Sequence, residues 1–238
     1  MDGDENTNIR LWLASQSERR SEWLADNFRN EAIEIVSLPL IDNSEPEYNS
    51  IPVREQVSLV LDSKLRSAFL EIKLGRLEQL FDNNLDDKSK PITIVSDTLV
   101  ESPDDINVAL GKPKDSLIAT SMLMLLSGCR HNVWSATGII TSEEIDLDTH
   151  PIINKITLGS GYFAYTFVES STIEISVLDE DILSDLVKSN SWKGKAGAYD
   201  LAGKMGRYAT LISGKEVCVL GFSSSAMIFL NKLISDKL

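Results

Sequence analysis

A mixed α/β fold is the class this sequence predicts, and three observations lead to it. Apolar, β-branched runs alternate with segments whose apolar residues recur at helical spacing. No segment repeats another. The 238 residues, 42% apolar and 25% charged, are enough for one large domain or two small ones with a substantial core.

Residues 1–8 are acidic and polar and read as a frayed tail, leaving 9–238 as a single domain. IRLWLAS (9–15) is a strand, and Ser17 is placed to cap a helix from Glu18 to about Asn27. Glu31 to Leu38 is a second strand. The segment Pro39 to Pro52 carries three prolines and several acids, the composition of a loop. From Val53 to Leu80, the positions Val57, Val60, Leu61, Leu65, Ala68 and Phe69 give a helical period. FDNNLDDKSKP follows as a polar surface loop.

ITIVSDTLVES (92–102) is a β-branched strand entering an Asp. After the turn-rich PDDIN and LGKPKD, SLIATSMLMLLSG is a helix ended by Gly128. HNVWSATGIIT (131–141) is a strand, followed by a polar loop to Asn154, and KITLGSGYFAYTFVESSTIEIS holds one or two more. Leu178 to Ser189 is a helix that begins with acids. The stretch from Trp192 mixes a glycine-rich loop with a short strand, EVCVLGF is a further strand, and Ser223 caps the last helix.

Lys and Arg total 23 against 36 Asp and Glu, a net charge of −13. Such a body repels nucleic acid and anionic membranes, so neither is an expected partner. A phosphate site in it has to be a local cationic pocket. Cys129 and Cys218 are too few for a disulfide framework and lack zinc-ligand spacing, which suits a reducing, cytoplasmic setting. His131 and His150 do not make a metal cluster. The N-terminus lacks the features of a signal peptide. No apolar run approaches the roughly 18 residues of a membrane-spanning helix.

Four stretches carry chemistry. In LASQSERR, a strand runs into two arginines at the start of a helix, where the macrodipole disfavours cations unless an anion sits against them. Free backbone N–H groups, the hydroxyls of Ser15 and Ser17, and the guanidiniums of Arg19 and Arg20 together suit phosphate oxygens. The same residues also fit a simple cap with two solvated arginines. In IVSDTLVES, Asp97 stands at the end of an apolar strand, the edge at which open α/β sheets place ligands. It either holds a divalent cation or orients a water, or else caps the next element. Glu101, four residues on, either assists or faces solvent. In LGKPKD, Pro113 fixes the chain behind Lys112, and Lys64 on the long helix is a further candidate cation. GKAGAYDLAG (194–203) is a small-residue loop able to follow a flat base or a sugar, or a tight turn around the core with Tyr199 packed inward.

These stretches, in this order, resemble the Maf family of nucleoside triphosphate pyrophosphatases. LASQSERR resembles its LAS-x-SPRR opening, and IVSDTLV its strand ending in GADT. LGKPKD, LSG, His131 and Val133 follow its GKP and LSG-x-x-H-x-V run. KAGAYDLAG resembles its KAGAY-x-x-Q-G loop, and VLGF its VVGLP. The resemblance implies a mixed, twisted β-sheet flanked by helices, in two lobes around a central cleft, like that of inosine triphosphatases. It implies hydrolysis of standard or modified nucleoside triphosphates to monophosphate and pyrophosphate, with a divalent cation, Mg²⁺ or Mn²⁺, and a homodimer. Carried over, Ser15, Arg19, Arg20, Lys64 and Lys112 bind the triphosphate, and Asp97 engages the metal or the attacking water.

The chain departs from the family pattern at several points. The acidic S-x-x-D/E-E loop reads SLPLID, so Leu40 and Ile41 stand in place of carboxylates. Asp42, one residue later, is the expected replacement metal ligand, with Glu45 as the alternative. The loop glutamine is Ala202, the Asp before KAGAY is Gly194, and the Pro of GLP is Ser223. The Pro of SPRR is Glu18, and the Arg after LSG is Cys129. Retained cations beside a depleted carboxylate set also fit a second class, a nucleotide-binding or regulatory protein with little turnover.

Overall fold

The computed structural model describes residues 9–42, 48, 50–81, 90–145 and 154–237. The N-terminal tail, Glu45, His150, most of the FDNNLDDKSKP loop and the far part of the loop before Asn154 lie outside them.

The described strands form one mixed sheet in the order β2-β1-β3-β5-β7-β6, with β4 on β3 and β8 on β7. β1 (Ile9–Leu13) pairs in parallel with β2 (Ile33–Ser37) and with the first residues of β3 (Ile92–Glu101). The remaining pairings, β3 with β4 (Ala109–Leu110) and β5 (Arg130–Thr141), and β7 (Tyr162–Ile175) with β5, β6 (Asn154–Gly159) and β8 (Ala209–Ser213), are antiparallel. The change of direction has a physical origin. β1 follows β3 only to Leu13 opposite Ile94, while β5 follows β3 from Thr93 to Val100. The first three residues of β3 thus join the parallel layer, and the strand from Thr93 to Val100 joins the antiparallel arm.

Helices cover both faces of the parallel half. α1 (Glu18–Asn27) starts where expected, with the Ser17 hydroxyl accepting from the Arg20 N–H at 3.4 Å. It packs with α7 (Ser224–Ser235) over Leu11, Leu13, Ile94 and Phe222, all of them buried. On the other face, α2 (Val53–Lys73) sets Leu61 and Leu65 against Trp12, Val95 and Ala136. The antiparallel arm makes its own core around Val100, Leu123, Val133, Ile173 and Trp192, closed by α4 (Ser116–Leu126) and α5 (Glu180–Lys188). These cores are the two lobes.

Three sequence expectations change, and a fourth resolves to one of its alternatives. The helix expected to run from Val53 to Leu80 breaks at Gly75, whose φ of +84° no continuing helix adopts, and α3 (Arg76–Leu80) starts afresh. The segment expected to hold one or two strands holds two, paired as the hairpin β6–β7. Asp97 lies in the middle of β3, opposite Ala136, because antiparallel pairing carries the strand past it. It stands three residues beyond the last β1 partner, and so at the carboxyl edge of the parallel half only. EVCVLGF is not a strand but α6 (Glu216–Leu220). Its β-branched preference yields to packing: Cys218 and Val219 are buried beneath a helical turn, and Ser135 Oγ donates to the Cys218 carbonyl at 2.7 Å.

Candidate active site

At the carboxyl edge of β1, between the two lobes, lies a cleft of about 400 Å³, a size ordinary for small-molecule sites. Six pieces of chain line it: Ala14 to Ser17 with Arg19 and Arg20 from the β1–α1 junction, Leu40, Lys64 from α2, Ser96 to Thr98 from β3, and, from the second lobe, Lys112 and the loop of Gly194 and Ala196. Ser15, Arg19, Arg20, Lys64, Lys112 and Asp97, scattered over 98 positions of sequence, therefore share one cavity.

Asp97 is the carboxylate on that wall. It is 5% exposed, and Lys64 Nζ donates to its Oδ1 at 2.7 Å. Burial makes an unpaired carboxylate costly, and the ammonium offsets that cost. Lys112 is exposed at the rim.

The adjacent arginines have different surroundings. Arg20 is 9% exposed and directs its guanidinium inward. Its Nε donates to the Gly221 carbonyl at 2.9 Å, Nη1 to the Ser96 carbonyl at 3.0 Å and Ser15 Oγ at 3.3 Å, and Nη2 to Thr98 Oγ1 at 2.9 Å. Behind it lies a seam of buried hydroxyls. Ser96 Oγ has the Gly221 carbonyl at 2.7 Å and the Ala136 carbonyl at 2.9 Å as acceptors for its one proton, and Thr98 Oγ1 and Ser135 Oγ are hydrogen-bonded at 2.8 Å. Gly221 makes this possible: its φ is +120°, and a Cβ there would lie 2.6 Å from Arg20 Nε. Arg19 instead faces the glycine-rich loop, its Nη1 donating to Asp200 Oδ1 at 3.2 Å.

Three further expectations meet the structure here. Glu101 does not face solvent. It is 8% exposed and accepts from Asn132 Nδ2 at 2.8 Å and Trp134 Nε1 at 2.7 Å, which ties two strands of the arm together. Tyr199 does pack inward, hydrogen-bonded to His131 Nε2 at 2.8 Å. Burial lowers the His131 pKa to about 4 and raises that of Tyr199 well above its ordinary value. In the acidic loop, Leu40 is buried on the cleft wall and Asp42, two residues on, is exposed. Glu71 Oε1 accepts the Ile41 N–H at 2.7 Å and pins this segment.

Sequence reading passed over Asp200 and the hydroxyl seam. The seam had a signal, the alternation of Ser96 with Thr98 and of Ser135 with Thr137 along two strands. Asp200 had none beyond lying inside the KAGAY loop.

Among the described residues, the cleft gathers Arg19, Arg20, Lys64 and Lys112 around one carboxylate, Asp97, at the edge of a mixed sheet, the kind of arrangement in an α/β protein that suits a polyanion. The chain belongs to the Maf family: the family model described as Maf-like protein matches residues 10–232. A dTTP/UTP pyrophosphatase of Clostridium botulinum strain Hall is 29% identical over 223 residues, 94% of this chain and 93% of that one. A dTTP/UTP pyrophosphatase of Clostridium acetobutylicum is 28% identical over 213 residues, 90% of this chain and 92% of the relative. A third, from Lachnoclostridium phytofermentans, is 33% identical over 134 residues, 56% of this chain and 59% of its own length. Among the described residues, no helix is long and apolar enough to cross a membrane.

Proposed function

We propose that the protein hydrolyses nucleoside triphosphates between the α and β phosphates, giving a monophosphate and pyrophosphate, with dTTP and UTP the first substrates to try. The observation that carries this reading is the Lys64–Asp97 pair, 2.7 Å apart, inside a cleft whose other walls bear Arg19, Arg20 and Lys112. Ser15, Arg19, Lys64 and Lys112 bind the phosphate chain, and Arg20 holds the floor of the site and adds its charge. Asp97 orients the attacking water. The bond from the α phosphorus to the bridging oxygen breaks, and the cations stabilise the charge that develops on the pyrophosphate leaving group.

The donor set suits a divalent cation that arrives with the triphosphate. Among the described residues, no group of three or more His, Cys, Asp or Glu gathers to hold a metal. Mg²⁺ needs only one or two carboxylates when phosphates and waters complete its shell. Asp97 would hold it, with Asp42 as the second carboxylate. When bound, the ion would neutralise phosphate charge. A homodimer and a cytoplasmic location belong to the same reading.

One observation favours a second reading. Leu40, 3% exposed, lines the cleft where the family pattern has an acid, which suits a protein that binds nucleotide with little turnover. Pyrophosphate release from a panel of canonical and modified triphosphates, with Mg²⁺ or Mn²⁺, separates the two. Turnover of any member supports the enzyme, and tight binding without release supports the alternative.

A further inference from the structure

Asp200 reaches across the mouth of the cleft. Its loop belongs to the second lobe: the Gly197 N–H donates to the Gly111 carbonyl at 3.1 Å, and Tyr199 is tied to His131 on β5. Its tip, however, ends on the first lobe, where Asp200 Oδ1 accepts from Arg19 Nη1 at 3.2 Å. The other oxygen, Oδ2, lies 3.4 Å from Lys195 Nζ. The carboxylate is thus held between a cation of the cleft wall and one of its own loop. Its side chain is 15% exposed and that of Arg19 is 18% exposed, so solvent screens the pair only in part. Oδ1 also accepts the Ala202 N–H at 3.1 Å, which fixes the aspartate within a tight local turn.

A carboxylate on Arg19 occupies a donor that a phosphate would use and adds a negative charge beside the phosphate site. Lys195 gives that carboxylate somewhere to stay when Arg19 leaves it. We infer that Asp200 is an affinity-setting latch: it pairs with Arg19 across the cleft, and the anionic substrate must displace it, after which Asp200 remains on Lys195. The inference rests on the phosphate reading of the cleft. It makes Asp200 a positioning residue, acting through Arg19, that holds affinity for the polyphosphate below what the cations alone would reach.

The test is titration of the full-length protein with inorganic pyrophosphate and with dTTP or UTP. The Asp200→Asn variant keeps the acceptor for Ala202 N–H and loses the charge. It should bind pyrophosphate about three- to ten-fold more tightly than wild type. Asp200→Ser, whose hydroxyl also supports the turn, should move the same way, so one poorly folding variant does not decide the matter. Where turnover is measured, KM should fall with kcat unchanged. In an Arg19→Ala background the gain should vanish, because the latch has nothing to hold. Unchanged or weaker binding in both Asp200 variants overturns the latch, as does an equal gain without Arg19. If wild type binds neither pyrophosphate nor triphosphate, the phosphate reading falls instead, and the latch falls with it.

Discussion

The two walls of the cleft are built on different principles. The β1–α1 wall is fixed: Arg20 donates four hydrogen bonds, one to Ser15 of its own stretch and three to two other stretches of chain, over a seam of buried hydroxyls. The glycine-loop wall is held by bonds of another kind. Two are backbone contacts around Gly197 and Ala198, the latter at a φ of +63°, and others are the His131–Tyr199 hydrogen bond and the ion pairs of Asp200. A buried, fully coordinated guanidinium gives a rigid floor, whereas partly exposed ion pairs exchange partners at low cost. Adjacent residues of one helical turn, Arg19 and Arg20, fall on opposite sides of that division. Stability sits on one wall and adjustable affinity on the other.

The largest effect is expected at the carboxylate between the walls. Asp97→Asn should reduce pyrophosphate release by at least about a hundred-fold while the protein stays folded, with a melting temperature lowered by the loss of the Lys64 ion pair. Release at the wild-type rate, with metal present, would remove Asp97 from the chemistry.

The contrast between the arginines is broken or sharpened by urea denaturation. Arg20→Ala leaves the buried Ser96 carbonyl without its guanidinium donor, takes one of two donors from the Gly221 carbonyl, and should cost about 3 kcal/mol or more. Arg19→Ala should stay within about 1 kcal/mol of wild type yet weaken pyrophosphate binding. Equal stability losses would mean that the two walls are not built differently.

The loop wall should respond to acid through His131. Burial lowers its pKa from 6.5 to about 4, so the folded protein keeps it neutral while the unfolded chain protonates it first. Its contribution to stability is therefore complete above pH 6.5 and is lost as pH falls towards 4, by up to about 3 kcal/mol. His131→Gln should flatten the stability profile over that window. An unaltered slope would show that other groups account for the acid sensitivity.

The smallest effect is expected from the acidic loop. Asp42→Ala should raise the metal concentration for half-maximal turnover a few-fold, by about 1 kcal/mol at most, and Glu45→Ala much less. If neither shifts the metal requirement, Asp97 is the only protein carboxylate on the ion. If Glu45 responds and Asp42 does not, the second carboxylate stands and its position moves.

Legibility in the sequence tracked the range of the interactions. The capped start of α1 at Ser17, the N-cap of α7 at Ser223 and the end of α4 before Gly128 all depend on residues within a turn of one another. All three stood out in the sequence. The helical fate of Glu216–Leu220 did not, because its β-branched residues are overruled by contacts with a sheet 49 to 85 positions away. The cleft cations were readable as residue types in a familiar order. Which arginine is spent on structure was not, since the deciding partners, Ser96, Thr98 and Gly221, lie 76 to 201 positions from Arg20.

By itself, the sequence determined the alternation of strands and helices, the caps, the acidic body with its cationic stretches, and the residues assigned to the site. Each follows from local pattern, composition or motif order. Only the tertiary structure decided that Asp97 sits mid-strand on a salt bridge, that Leu40 faces the cleft, and that Asp200 closes across to Arg19. Such facts depend on which distant groups meet when the cores close, and burial then prices each charge by the partner it finds.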